Sequence, residues 1–138
     1  MLDHIGITVA DFDRSLAFYD KVLGAIGYRR MMTFIPGEYP GPNKVAGYGR
    51  EQPQFWIGEN SMSFWDHRHA PAKSPIHVAF KAEGPEQIQA FYEAALAAGG
   101  QDYGAPGPRP QYHPGYYGAF ILDPDGNNIE AVCHNARG

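Results

Sequence analysis

Six histidines and a single cysteine mark where this 138-residue chain can do chemistry. His4 and His77 are 73 positions apart, and each stands in a short alternating segment. In His4-Ile5-Gly6-Ile7-Thr8-Val9, the apolar Ile5, Ile7 and Val9 share one strand face, while His4, Gly6 and Thr8 take the other. In the second segment Ile76, Val78 and Phe80 share a face, and His77 and Ala79 oppose them. Each imidazole thus points away from the apolar side, with a small residue, Gly6 or Ala79, leaving room beside it. Glu130 opposes Ile129 and Ala131 in the same way. A lone strand histidine is more often a hydrogen-bonded structural residue than a functional one, so their matching positions matter more than either alone.

Other reactive types lie elsewhere. His67 and His69 form an i, i+2 pair whose rings would point the same way on an extended segment, although a solvated loop is the simpler reading. The run Gln111-Tyr112-His113-Pro114-Gly115-Tyr116-Tyr117 is aromatic and leads towards Glu130. Such a loop can close over a cavity, with His113 or Tyr117 as acid/base or hydrogen-bond donor. It can equally serve as packing that joins two sheets. Trp56, Phe64, Trp65, Tyr112 and Tyr116 are candidates for an apolar, substrate-binding wall. Cys133 falls on the face opposite Glu130 and reads as a buried, inert thiol.

The elements that must position these groups repeat. Residues 4–27 align without a gap on residues 77–100, with His4/His77, Phe18/Phe91 and Tyr19/Tyr92 among the identities. Each copy opens with the strand just described and continues into a helix. The first helix takes Asp11 or Asp13 as its N-cap and carries an apolar stripe of Leu16, Tyr19, Leu23 and Ile26. The second starts at Gly84-Pro85, carries Ile88, Phe91 and Ala95, and stops at Gly99-Gly100. Strands are predicted near 28–33, 45–48 and 55–58 in the first copy, and near 101–103, 116–122 and 128–134 in the second. Asp123-Pro124-Asp125-Gly126-Asn127 is a strong turn signal before the last strand. Residues 36–42 and 104–118 read as long loops. The fold class is α+β: two tandem βαβββ modules, about 1–70 and 75–138, forming a cupped mixed sheet in one domain.

Composition narrows the function classes. With 11 Lys and Arg against 15 Asp and Glu, the net charge is -4. No basic stripe exists to displace counterions from phosphates, which argues against nucleic acid as a partner. No apolar run approaches a membrane span, and strand-like residues begin at Leu2, so the expected setting is cytoplasmic. Serine-nucleophile, P-loop and dinucleotide signatures are absent.

The paired modules, the opening HIGITVADFDRSLAFYDKVLG and the closing YYGAFILDPDGNNIEAV resemble the vicinal oxygen chelate superfamily over essentially the whole chain. That group includes glyoxalase I, bleomycin-resistance proteins and extradiol dioxygenases. The resemblance implies a divalent metal ion (Fe, Mn, Ni, Co or Zn) on the inner face of the cup, held by His4, His77 and Glu130. Aligning Phe55 with Ile129 puts Trp56 at the fourth family position, and an indole cannot ligate a metal. Gln54, on the same face, is a weaker oxygen donor there. What remains is a 2-His-1-carboxylate set with open positions. The expected function is metal-dependent lyase, isomerase or ring-opening dioxygenase chemistry on a small vicinal-oxygen substrate, with Trp56 set against lactoylglutathione lyase activity itself. The alternative is a non-catalytic binding protein of the bleomycin-resistance type. A homodimer is a further expectation, with the modules free to close a cup within one chain or across two.

Overall fold

Residues 1–59 and 76–136 are described by a computed structural model. The first module runs β1 (Ile5–Val9), α1 (Phe12–Gly24), β2 (Arg29–Phe34), β3 (Val45–Gly49) and β4 (Pro53–Glu59). The second runs β5 (His77–Lys81), α2 (Pro85–Ala97), β6 (Gln101–Pro108), β7 (Tyr117–Leu122) and β8 (Asn128–Cys133). Both are βαβββ units, as the repeat predicts.

Local chemistry sets the helix ends. Asp11 is the cap of α1, its carboxylate accepting from the Arg14 N–H at 3.1 Å. Proline opens α2, where no amide hydrogen is needed. Gly99, at φ +97°, then turns the chain so that the Gly100 N–H reaches the Ala95 carbonyl at 2.8 Å.

Each module builds its own four-stranded mixed sheet, ordered β1-β4-β3-β2 and β5-β8-β7-β6. The first strand of each module lies parallel to its last, and the other pairs are antiparallel. Register bears out the alignment of the two halves: Gly6 faces Trp56 in one sheet as Ala79 faces Glu130 in the other. The two positions are structurally equivalent.

The structure corrects the reading of 104–118 as one loop, because β6 continues to Pro108. Gly104, at φ +150°, sits at a register shift, and among the described residues β6 is an edge strand, where prolines cost little because one row of amides lies outside the ladder.

One face of each sheet is covered by helix, and a single core cluster draws side chains from both modules, including Tyr19, Leu23, Phe55, Ile88, Phe91 and Ile129. The Phe55 and Phe80 rings meet edge to face at 5.1 Å, joining β4 to β5. The turn before β8 makes the second joint. Buried Asp123 accepts from the Tyr19 hydroxyl on α1 at 2.5 Å and from the Asp125 and Asn127 amides at 2.9 and 2.8 Å. The side-chain amide of Asn127 adds a fourth donor at 3.1 Å. Asp125 in turn accepts from the Ala10 N–H at 3.0 Å, just ahead of α1. The DPDGN turn is therefore a clasp between modules, and it delivers β8 to its place.

Candidate metal centre

Strand parity decides what faces the open side of the second sheet. In β8, Ile129, Ala131 and Cys133 pack into the core, so Asn128 and Glu130 point the other way. In β7, Ala119 and Ile121 lie in the core, leaving Gly118 and Phe120 opposite Val132 and Glu130 on the open face. His77 and Ala79 of β5 complete that face, paired with Asn128 and Glu130.

Glu130 is only 2% exposed although it is an acid. Its Oε1 lies 3.1 Å from His77 Nε2, and its Oε2 accepts a hydrogen bond from the Tyr116 hydroxyl. Burial, and then the bond to Glu130, push the Tyr116 pKa upward, so the phenol stays protonated. Gly118 makes the approach possible, since a Cβ there would lie 3.1 Å from Oε2 and 3.3 Å from the Tyr116 ring.

His77 carries a constraint that sequence alone does not reveal. Its Nδ1 lies 3.1 Å from the Asn128 carbonyl oxygen, so both ring nitrogens face oxygens that only accept. A neutral imidazole has one N–H. With that hydrogen on Nδ1, the bare Nε2 lone pair meets a carboxylate, and a proton or a cation must lie between them. The geometry suits either. An imidazole nitrogen and a carboxylate oxygen this close could be ligands of one divalent ion. Anchoring the far ring nitrogen on a backbone carbonyl is also how metal-bound histidines are oriented.

His4 does not join this pair. Its side chain is 58% exposed just ahead of β1, with Nδ1 2.6 Å from Asp3. Among the described residues, no three His, Cys, Asp or Glu side chains gather closely enough to hold a metal ion.

The other predicted site residues fall into separate groups. Tyr112, His113 and Tyr116 cluster, with His113 5.4 Å and Tyr112 4.9 Å from Tyr116 by ring centroid. His134 belongs to this cluster and was not singled out from the sequence. Its Nδ1 lies 3.0 Å from His113 Nε2, while His113 Nδ1 lies 2.7 Å from the Pro114 carbonyl. Gly115 lets the loop approach, because a Cβ there would come within 2.8 Å of the His134 carbonyl. Tyr117 has the parity of Ala119 and packs against the core, so the hydroxyl beside Glu130 belongs to Tyr116 instead.

Trp56 stands on the equivalent face of the first sheet. Gly6 and Gly47 flank it, and a Cβ on Gly47 would come within 2.7 Å of its ring. Phe34 stacks on the indole at 6.3 Å and 17°, and Tyr39 packs against Phe34 at 5.2 Å. Where the second sheet has Phe120 beside a carboxylate, the first has glycine beside an indole. A separate cavity of about 190 Å³ opens where the modules meet, between Ile5, Tyr28, Gln54, Phe55, Val78 and Phe80. Trp56, Tyr112 and Tyr116 do not line it. His67, His69, Phe64 and Trp65 lie outside the described residues. No helix among the described residues is long and apolar enough to cross a membrane.

Comparison with known proteins gives this geometry a context. Residues 1–131 match the family described as Glyoxalase/Bleomycin resistance protein/Dioxygenase superfamily. The chain is 31% identical over 136 residues to a "Probable lactoylglutathione lyase" of Synechocystis, covering 97% of this chain and 95% of that protein. A glyoxalase/bleomycin resistance protein from Albidiferax ferrireducens superimposes with TM-score 0.67 at 27% identity, covering 100% of this chain and 99% of the other. A glyoxalase I variant from Zea mays shares the fold with TM-score 0.65 at 21% identity, over 94% of this chain and 45% of its own.

Proposed function

This chain belongs to the glyoxalase/bleomycin resistance protein/dioxygenase superfamily, and from that premise we propose that it is a divalent-metal-dependent enzyme acting on a small substrate with two adjacent oxygens. The reaction is of the lyase or isomerase type, in keeping with the likeness to the probable lactoylglutathione lyase of Synechocystis. The observation that carries the reading is the approach of His77 Nε2 to the buried Glu130 Oε1 at 3.1 Å, with both ring nitrogens facing acceptors. A bound divalent ion (Fe, Mn, Ni, Co or Zn) supplies Lewis acidity towards the substrate oxygens.

The residues divide the remaining work. The Asn128 carbonyl fixes the His77 ring, and His77 and Glu130 would hold the ion. The Tyr116 hydroxyl donates to Oε2 and restrains the carboxylate, and its hydrogen reaches a substrate oxygen only by leaving Glu130. The proton-handling role expected of His113 or Tyr117 passes to Tyr116, with His113 placing its ring. On the first sheet, beside β1, Trp56, Phe34 and Tyr39 offer a flat apolar surface that a second copy would bring to the unreactive part of the substrate. His4 is a third ligand if a second copy of the chain brings its β1 to this face, which makes a homodimer the working assembly.

A second reading rests on the same pair. A protonated His77 satisfies Glu130 and the Asn128 carbonyl with no metal at all, and the chain is then a binding protein for flat, apolar ligands. Elemental analysis of untagged protein purified without chelators, beside Glu130→Ala, separates the two. The metalloenzyme reading expects about one transition-metal ion per chain, lost in the variant. Under a tenth of an equivalent, with no uptake on titration, leaves the binding protein.

A further inference from the structure

We propose that Asn128 is an additional ligand of the cation site, supplying through its side-chain oxygen the donor that Trp56 removes from the first module. The inference rests on the metal reading above. Asn128 Oδ1 is buried and, among the described residues, has no hydrogen-bond partner. Buried carbonyl oxygens are nearly always paired, and an orphan calls for an explanation. Strand pairing gives its surroundings. Asn128 lies directly beside His77 across the parallel β5–β8 ladder and two residues before Glu130 on the same face. Three electron-pair donors therefore share one patch: an imidazole nitrogen, a carboxylate oxygen and an amide oxygen.

The Tyr116 hydroxyl hydrogen is already committed to Glu130 Oε2, so it does not serve Asn128. One positive ion shared by the orphan oxygen and the His77–Glu130 pair would satisfy all three donors. A nitrogen-plus-oxygen donor set with no thiolate suits a first-row divalent ion. The repeat gives the proposal a counterpart. Gln54 stands two residues before Trp56 as Asn128 stands two before Glu130, so both modules place an amide there. Only in the second does a carboxylate follow it.

The test is Co²⁺ binding to the full-length, metal-stripped protein, followed by calorimetry and by the visible absorption of bound cobalt. The set compares wild type with Asn128→Ala, Asn128→Asp and Glu130→Ala. Asn128→Ala is expected to bind at least about tenfold more weakly with an altered cobalt spectrum, and Asn128→Asp to restore or exceed wild-type affinity. Urea unfolding of the stripped proteins checks folding, and Asn128→Ala should lose no stability because it removes an unpaired buried oxygen. Asn128→Ala binding Co²⁺ like wild type, while Glu130→Ala does not bind, overturns the role of Asn128 alone. Failure of the wild type itself to bind Co²⁺ overturns the metal reading, and this proposal with it.

Discussion

Replacing Tyr19 by Phe tests the clasp that holds the two modules in register. Tyr19 is fully buried, and its hydroxyl donates to Asp123 Oδ2 at 2.5 Å. The Asp123 carboxylate takes three further donors, Asn127 Nδ2 on the same oxygen and two backbone amides on the other. Tyr19→Phe leaves the ring and its packing in place and deletes one charge-assisted bond, worth about 1.5–3 kcal/mol. Because three donors remain, we expect about 2 kcal/mol. For 138 residues and ~2.1 cal/mol/K of unfolding entropy per residue, that lowers Tm by about 7 °C. Urea unfolding monitored by circular dichroism gives the value directly, with an unchanged slope confirming that only stability moved. The cycle is closed with Asp123→Asn, in which the tyrosine bonds a neutral amide and its loss costs only about 1 kcal/mol. A Tyr19→Phe protein within about 0.5 kcal/mol of wild type refutes the clasp, as does an equal loss in both backgrounds.

Other outcomes follow from the same geometry. Gly118→Ala places a methyl about 3.1 Å from Glu130 Oε2 and should separate Tyr116 from the carboxylate. We expect weaker Co²⁺ binding with stability changed by under about 1 kcal/mol, and unchanged binding would show that the approach is not needed. Burial, and then Asp123 for Tyr19 and Asp20 for Tyr48, raise both phenol pKa values above those of the unfolded chain. The sign follows: this stability is complete below about pH 10 and is lost as pH rises through the folded values. Alkaline absorbance titration should therefore leave these two, together with Tyr116, un-ionised well above pH 10, whereas nine midpoints near 10 in folded protein would contradict the burial. Cys133 is buried, with its pKa raised by burial, so a thiol reagent at pH 8 should label it only after denaturation. Gly47→Ala must push the Trp56 ring, which lies 2.7 Å from the added methyl, and Trp56 emission in a Trp65→Phe background should shift.

Sequence by itself determined the architecture, because local rules govern it. Alternation put Ile7 and Val9 inside and His77 and Glu130 on the open face, and the Asp11 and Gly84-Pro85 signals started both helices where they are. The 73-residue repeat exposed the modules, and ladder register reproduced the Trp56–Glu130 equivalence that aligning Phe55 with Ile129 implies. Where the reading of β6 failed, the missing fact was that it is an edge, and only sheet assembly makes an edge.

Tertiary structure alone decided which donors meet. His4 and His77 look identical along the chain, yet His77 reaches Glu130 while His4 turns to Asp3, because each module closes its own sheet. Sequence assigned the proton-handling role to Tyr117 and the binding wall to Tyr116, whereas parity in β7 sends Tyr117 towards the core and Tyr116 to the carboxylate. Asn128 was not singled out from the sequence, and that its oxygen is buried with no partner among the described residues is a fact of packing. Periodicity assigns a side chain to a face of its own strand. Distances between strands and modules depend on ladders and turns, such as the Asp123 clasp, that close across long stretches of chain.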